Sequence, residues 1–254
     1  MTAAPAPAFQ PVVTAAILVI GDEILSGRTK DKNIGYIAEY LTNIGIELRE
    51  VRVVPDLTDE IVSALNALRS RYTYVFTTGG IGPTHDDITA DAVAAAFGVP
   101  IDYDQRAVDM LLERFPKDQL NEARMRMARI PAGADLIANS VSKAPGFRIG
   151  NVHVMAGVPA IMQAMLDVVA PTLKTGARIL SETVRAGLRE GDIGSPLAEI
   201  AKAHPDCSIG SYPFWSETGP DTNIVIRSRD PEKLALATAA VQAMVEAERA
   251  RLGA

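Results

Sequence analysis

YTYVFTTGGIGPTHDDIT, residues 72–89, decides how this chain is read. An apolar, β-branched run stops at Gly79, Gly80 and Gly82, and His85, Asp86 and Asp87 follow at once. The run has the length and residue types of a buried strand. Behind the loop, Ala92, Val93, Ala96 and Phe97 recur at helical spacing, and Gly98 stands where the helix must stop. Strand, glycine turn, helix is the repeating half of a βαβ unit.

The neighbouring segments repeat it. AAILVI (15–20) is a continuous apolar run ending at Gly21, as in a strand covered on both faces. Ile34, Ile37, Leu41 and Ile44 predict a helix over 32–44, closed by Gly45. ELREVRVV (47–54) predicts a strand ending at Pro55. Thr58 is expected to cap the next helix, with Asp59 and Glu60 in its first turn. Downstream, helical patterns cover 104–115 and 118–128. ADLI (134–137) predicts a strand, and FRIG and VHVM predict a hairpin around Gly150-Asn151. A helix opens near Pro159, with Ile161, Met165, Leu166 and Val169 on one side. This alternation predicts an α/β domain on a mostly parallel sheet.

APTLKTGA (170–177) breaks the pattern. RILSETVRAGL reads as a strand, Ser195-Pro196 as the cap of a helix to about Ala203, and CSIGSYPFW and TNIVIRSR as strands. Asp230-Pro231 caps a long final helix. The expected organisation is a disordered tail at 1–12, the α/β domain at 13–174, and a smaller β-α-β-β-α domain at 175–254.

Net charge is −6, no Lys/Arg run is present and aromatics are 5% of residues, which argues against nucleic acid or an anionic membrane as partner. No apolar stretch approaches a membrane span. Cys207 is the one cysteine, so no internal disulfide can form; a reducing compartment fits. MTAAPAPAFQP lacks the basic and apolar regions of a signal peptide, so the expected location is cytoplasmic.

In an open parallel sheet, ligands bind beyond the carboxyl ends of the strands. Three loops fall there: GDEIL (21–25), TTGGIGPTHDD (77–87) and MAGVP (155–159). Glycine permits close backbone approach, and successive N–H groups form an anion nest, with Thr77 and Thr78 as further donors. A phosphate or pyrophosphate is one reading of the glycines; a tight turn is the other. Asp22, Glu23, Asp86 and Asp87 would crowd the same nest. A divalent cation relieves that conflict, since Mg²⁺ takes one or two carboxylates plus phosphate oxygens and water. Helix N-terminal charge compensation is the competing reading for a single acid of the Asp86/Asp87 pair. His85 either contacts a phosphate or acts as an acid, or is a hydrogen-bonding turn residue without chemistry, which is the favoured reading; His153, inside an apolar strand, reads as structural. Tyr212, Phe214 and Trp215 in SYPFW either pack or stack on a flat ring.

The set GDEILSG…DKN, TTGGIGPTHDDIT, NSVSKAPGF and MAGVPAIMQAM resembles the molybdopterin-binding (MoaB/MogA-like) domain family. It is most similar to the branch of competence/damage-inducible protein A and of the domain fused to eukaryotic FAD synthase; the latter likeness continues through SPLAEIAKAH and IGSYPFW. The resemblance implies a three-layer α/β/α domain with a small α+β appendage, and most often a homodimer. It also implies that Asp22, Glu23, Gly79, Gly80, Gly82, Asp86, Asp87, Gly157 and Pro159 line the site. Asn33 matches the Asn of the branch's Asp-Thr-Asn motif, with Lys32 in place of Thr. Ser140 and Ser142 replace the Pro and Gly of its Asn-Pro-x-Gly-x-Ala-Pro-Gly pattern. Neither the deamidase domain of competence protein A nor the adenylyl-transferring domain of FAD synthase is expected within these residues.

The expected function is therefore metal-dependent hydrolysis of FAD or ADP-ribose to AMP and a second phosphate product. Thr78, Gly79, Gly80, Gly82, Asn33, Gly157 and Pro159 would hold the substrate. Asp22, Glu23, Asp86 and Asp87 would hold Mg²⁺, Mn²⁺ or Co²⁺, with Asp86 and Asp87 orienting water. Lys143 either neutralises the leaving phosphate or is a solvated loop lysine. The alternative is a protein that binds molybdopterin without turnover, or a molybdopterin adenylyltransferase.

Overall fold

The computed structural model of the chain describes residues 12–217 and 219–253, so nearly all of the expected tail lies outside the described residues. The chain divides into two units, the first ending at Gly176 and the second beginning at Ala177.

In the larger unit β1 (Val13–Ile20) leads through a single turn, α1 (Asp22–Leu25), to α2 (Asn33–Asn43), β2 (Ile46–Val54), α3 (Thr58–Arg71), β3 (Tyr74–Thr78) and α4 (Thr89–Phe97). β4 (Ile101–Tyr103), α5 (Gln105–Leu112), α6 (Glu122–Arg126) and β5 (Arg129–Pro131) follow, then β6 (Asp135–Ile137), β7 (Gly146–Ile149), β8 (Val152–Met155) and α7 (Pro159–Val169). Six strands make one sheet in the order β2-β1-β3-β8-β7-β6. β2, β1, β3 and β8 are parallel, while β7 and β6 return antiparallel through the expected hairpin.

Alternation along β1 builds the two cores. Ala16, Leu18 and Ile20 face Ile61, Leu65 and Leu68 of α3 and Ala92 and Val93 of α4. Ala15, Ile17 and Val19 face Ile37 and Leu41 of α2 and Met162, Met165 and Leu166 of α7. Successive side chains of a strand point to opposite faces, so an all-apolar strand implies helices on both sides. The helices after β1 and β3 lie on opposite faces, which opens a crevice between the carboxyl ends of these two strands.

The smaller unit holds β9 (Leu180–Arg185), α8 (Glu190–Ala203), β10 (Ser208–Ser216), β11 (Gly219–Ser228) and α9 (Pro231–Leu252). Its antiparallel sheet runs β10-β11-β9. Ile224 and Ile226 of β11 pack with Ile193 and Leu197 of α8 and Leu234, Ala237, Val241 and Val245 of α9. Asp230 caps α9 as expected, accepting from the N–H groups of Glu232 and Lys233 at 2.9 and 3.2 Å.

Four local expectations are corrected. Thr58 is the first helical residue of α3 rather than its cap, and its side chain makes no capping bond. The helix expected over 118–128 shrinks to α6, because a 3-10 turn at Lys117–Gln119 gives way to an extended Asn121, whose side chain caps α6 by accepting the Arg124 N–H; beyond it Arg129–Pro131 pair with β4, a two-stranded element that the sequence did not suggest. The expected helix 104–115 ends at Leu112. α8 begins at Glu190 and carries Pro196 inside; burial of Ile193 and Leu197 on one face draws the earlier turn into the helix. Among the described residues no helix is long and apolar enough to cross a membrane.

Candidate functional site

Four strand ends meet at the crevice. β1 delivers Gly21, Asp22 and Glu23; β3 delivers the loop 79–88; β8 delivers 156–158 before Pro159 starts α7. β2 adds Asp56, which the sequence reading missed. Its carboxylate accepts the N–H of Asp22 at 2.9 Å, fastening the β2 end to the first turn after β1.

Each loop glycine has a packing reason. Gly79 has φ +104°, and a Cβ there would overlap the Ile20 carbonyl oxygen; one on Gly80, at φ +66°, would overlap the Thr89 hydroxyl. Thr89 closes this corner, its hydroxyl donating to Gly79 O and its N–H to Gly80 O, both at 3.0 Å. Gly157 lies against Gly79, with space for a Cβ only 3.2 Å from Gly79 Cα. Among the described residues no acceptor takes the N–H of Gly80, Ile81 or Gly82.

The aspartate pair divides. Asp87 folds back over its own turn: its Oδ2 accepts the Thr84 N–H at 2.8 Å and the Thr84 hydroxyl at 2.5 Å. Asp86 points to solvent, with 65% of its side chain exposed and His85 Nδ1 at 4.0 Å. His85 itself is 98% exposed.

On the α2 side of Gly79 a hollow of about 220 Å³ is lined by Glu23, Lys30, Lys32, Asn33, Thr78 and Gly157, among others. Asn33 starts α2, where Asp31 Oδ1 accepts the N–H of Asn33 at 3.0 Å and of Ile34 at 2.7 Å. Its Nδ2 donates to Gly157 O at 2.8 Å. Its Oδ1 is buried with no partner, and so is the Thr78 hydroxyl. Buried polar atoms are almost always satisfied, so two orphans in one hollow mark a place for a polar guest. Lys30 and Lys32 are exposed and not ion-paired among the described residues.

On the α4 side of the glycine loop lies a narrower cleft of about 20 Å³, roughly one water's room. Gly80, Gly82, Asp87, Asp91, Arg126 and Arg129 line it.

Electrostatics tie the acids together. The Asp56 carboxyl is pushed above its usual range, first by burial and then, against the Asp22 N–H bond, by the negative fields of Asp22, Glu23 and Asp86. These acids therefore share one field. Among the described residues no three His, Cys, Asp or Glu side chains form a ready chelate. The arrangement fits a cation that takes one or two carboxylates and completes its shell with phosphate oxygens and water, rather than an all-protein cage.

Lys143 sits elsewhere. In its loop Asn139 Oδ1 accepts the N–H groups of Val141 and Ser142 at 3.0 and 2.7 Å. Lys143 holds φ +64°, pairs with Glu113 at 2.6 Å and lines a separate depression. His153 is buried in β8, stacked on Phe76 at 5.2 Å with Tyr74 edge-on at 5.7 Å. In the smaller unit Tyr212 is 51% and Trp215 81% exposed, and Arg185 lies 5.6 Å from the Phe214 ring.

Comparison with known proteins agrees with this fold. Residues 16–175 match the family model described as "Probable molybdopterin binding domain", and residues 178–251 match "FAD synthase, middle domain". A relative from Archaeoglobus fulgidus is 32% identical over 197 residues, covering 78% of this chain and 84% of the relative. One from Caldivirga maquilingensis is 35% identical over 196 residues, covering 74% and 76%. The solved structure of CinA from Thermoplasma acidophilum, a protein described as of unknown function, aligns with TM-score 0.60 at 33% identity over 63% of this chain and 98% of that one. The chain belongs to the molybdopterin-binding domain family of MoaB/MogA-like fold, in the form that carries a FAD-synthase-type middle domain behind it.

Proposed function

We propose that this protein is a metal-dependent nucleotide pyrophosphohydrolase that splits FAD or ADP-ribose into AMP and a second phosphate product. One observation carries the proposal. A loop offering unspent N–H donors and a shared field of acids occupy the same crevice. Donors for an anion and carboxylates that repel it are compatible only when a cation joins them.

Asp22, Glu23 and Asp86 are the residues that would hold Mg²⁺, Mn²⁺ or Co²⁺, with Asp56 behind them. Such an ion, when bound, polarises a phosphoryl group and makes water a better nucleophile. The chain does the positioning. Residues 80–82 cradle the pyrophosphate with backbone N–H groups. Asn33 Oδ1 and the Thr78 hydroxyl orient the polar part of one nucleotide half in the larger hollow, and Lys30 and Lys32 neutralise its charge. Asp87 shapes the turn that presents Asp86.

The family description supports a second reading, a protein that holds molybdopterin without turning it over. One assay separates the two. Purified protein is incubated with FAD or ADP-ribose, with each metal and with chelator, and products are resolved by chromatography. Metal-dependent AMP release that is lost in Asp86→Asn supports hydrolysis. No release from either substrate by folded protein rejects it, and pterin titration then tests the second reading.

A further inference from the structure

Arg126 stands apart from the other cations of the larger unit. It ends α6 and lines the narrow cleft beside the glycine loop. Its Nε is buried with no hydrogen-bond partner. Its one hydrogen bond among the described residues runs from Nη2 to the Asp87 carbonyl oxygen at 3.3 Å. A buried guanidinium N–H without an acceptor is rare, because desolvation is not offset by a new bond.

The two carboxylates that line the cleft are already engaged by neighbours. Arg129 is paired with Asp91 in a bidentate contact at 2.7 and 2.6 Å, so their charges offset each other and neither carries a free charge for a third group. Asp87 Oδ2 is taken by Thr84. Besides Asp87 Oδ1, what remains is donors, which outnumber it: Arg126 Nε and the N–H groups of Gly80, Ile81 and Gly82. A space of about 20 Å³ lined by unspent donors takes an anionic oxygen and excludes a ring.

We infer that Arg126 is the side chain that binds a phosphoryl oxygen of the substrate, holding it from the α4 side against the glycine-loop N–H groups. The inference rests on the pyrophosphohydrolase reading for the name of the anion. It places one phosphate over the narrow cleft and leaves the larger hollow, beyond Gly79, for the nucleotide half. It also gives to Arg126 the charge-neutralising role for which the sequence suggests Lys143, whose Nζ is bound to Glu113. A planar fork that is charged at every accessible pH suits a phosphoryl oxygen better than a single ammonium.

The test is calorimetric titration of wild type, Arg126→Gln and Arg126→Lys with inorganic pyrophosphate and with ADP-ribose, in Mg²⁺ and in chelator, beside thermal melts. The expected result is roughly a tenfold to hundredfold loss of affinity for both ligands in Arg126→Gln, the range of a hydrogen bond to a charged group. Arg126→Lys should fall between, with melting temperatures unchanged or raised, since an unsatisfied buried N–H is removed. Arg126→Lys alone decides the matter if Arg126→Gln fails to fold. Equal affinities in wild type and the folded variants, or no pyrophosphate binding by wild type, overturn the inference. Arg126-dependent binding without AMP release sinks the hydrolase reading and leaves the anion site standing. AMP release that is insensitive to Arg126 does the reverse.

Discussion

Replacing His153 by leucine should make the larger unit less sensitive to acid, by an amount the structure sets. His153 is 2% exposed, and neither ring nitrogen has a hydrogen-bond partner. Burial, and then the nearby Arg148 charge, lowers its pKa from 6.5 to about 4. The unfolded chain takes up a proton as pH falls through 6.5, whereas the folded chain resists until about 4. Stability is therefore full above pH 6.5 and is lost as pH falls towards 4. Each unit of difference is worth 1.36 kcal/mol, so the loss approaches about 3 kcal/mol, of which about 2.5 is spent by pH 4.5. Leucine has a similar volume and no proton to bind. Urea unfolding at pH 7.5, 6.0, 5.2 and 4.5, followed by far-UV circular dichroism, measures both proteins; fluorescence of Trp215 separates out the smaller unit. The gap between wild type and His153→Leu should shift in favour of the variant by about 2.5 kcal/mol from pH 7.5 to 4.5. Parallel curves would refute the claim that this imidazole is kept neutral by burial.

Three further outcomes follow from the crevice. Gly79→Ala should cost about 2–4 kcal/mol, because it combines a positive φ with overlap on the Ile20 carbonyl, and its urea midpoint reads this. Asp56→Asn should melt higher at neutral pH while metal-dependent turnover drops. The folded-state pKa of Asp56 is raised, so its contribution is greatest below the unfolded pKa and is lost as pH rises through the folded value; the variant's advantage should vanish at low pH. Asp87→Ala should lose about 1–2 kcal/mol with its two bonds to Thr84, whereas Asp86→Ala should change stability by less than about 0.5 kcal/mol and abolish turnover, as paired melts and rate assays would report.

The buried parts of the fold were legible because they are continuous. β1 and β3 announce themselves as apolar runs, and α2 and α4 by spacing and by the glycines behind them. β4 and β5 are three residues each, too short to show a period of two, and only their mutual pairing makes them strands. Pro196 misplaces the start of α8 because the sequence rule for proline favours a first turn, while Ile193 and Leu197 hold it further in. Within the crevice, Asp56 could have been found: Val54-Pro55-Asp56 ends a strand as Ile20-Gly21-Asp22 does. Arg126 had no such signal. It is one basic residue among Arg124, Arg126 and Arg129, and only the pairing of Arg129 with Asp91 and the burial of its own Nε set it apart.

The glycines show why a motif and a site are different things. Gly79, Gly80 and Gly157 are required by Ile20, by Thr89 and by one another, before any ligand is considered. A sequence that kept all three could hold nothing at all. What makes the loop chemical is what its packing leaves over. The carbonyls of Gly79 and Gly80 are both occupied by Thr89, which turns the peptide planes so that the oxygen side is closed. The N–H groups that follow have no partner among the described residues, and Gly80, Ile81 and Gly82 share their cleft with Arg126, while Asn33 and Thr78 line the hollow on the other side of Gly79. Loss of the Thr89 hydroxyl should therefore cost binding as well as stability. In Thr89→Val the Gly79 carbonyl is left buried without its donor, and relaxation of that peptide would rotate the N–H groups of the loop away from the anion. Pyrophosphate affinity in this variant should fall even though residue 89 touches no ligand. Unchanged affinity alongside a lowered melting temperature would show that the loop's N–H groups take no part in holding the anion.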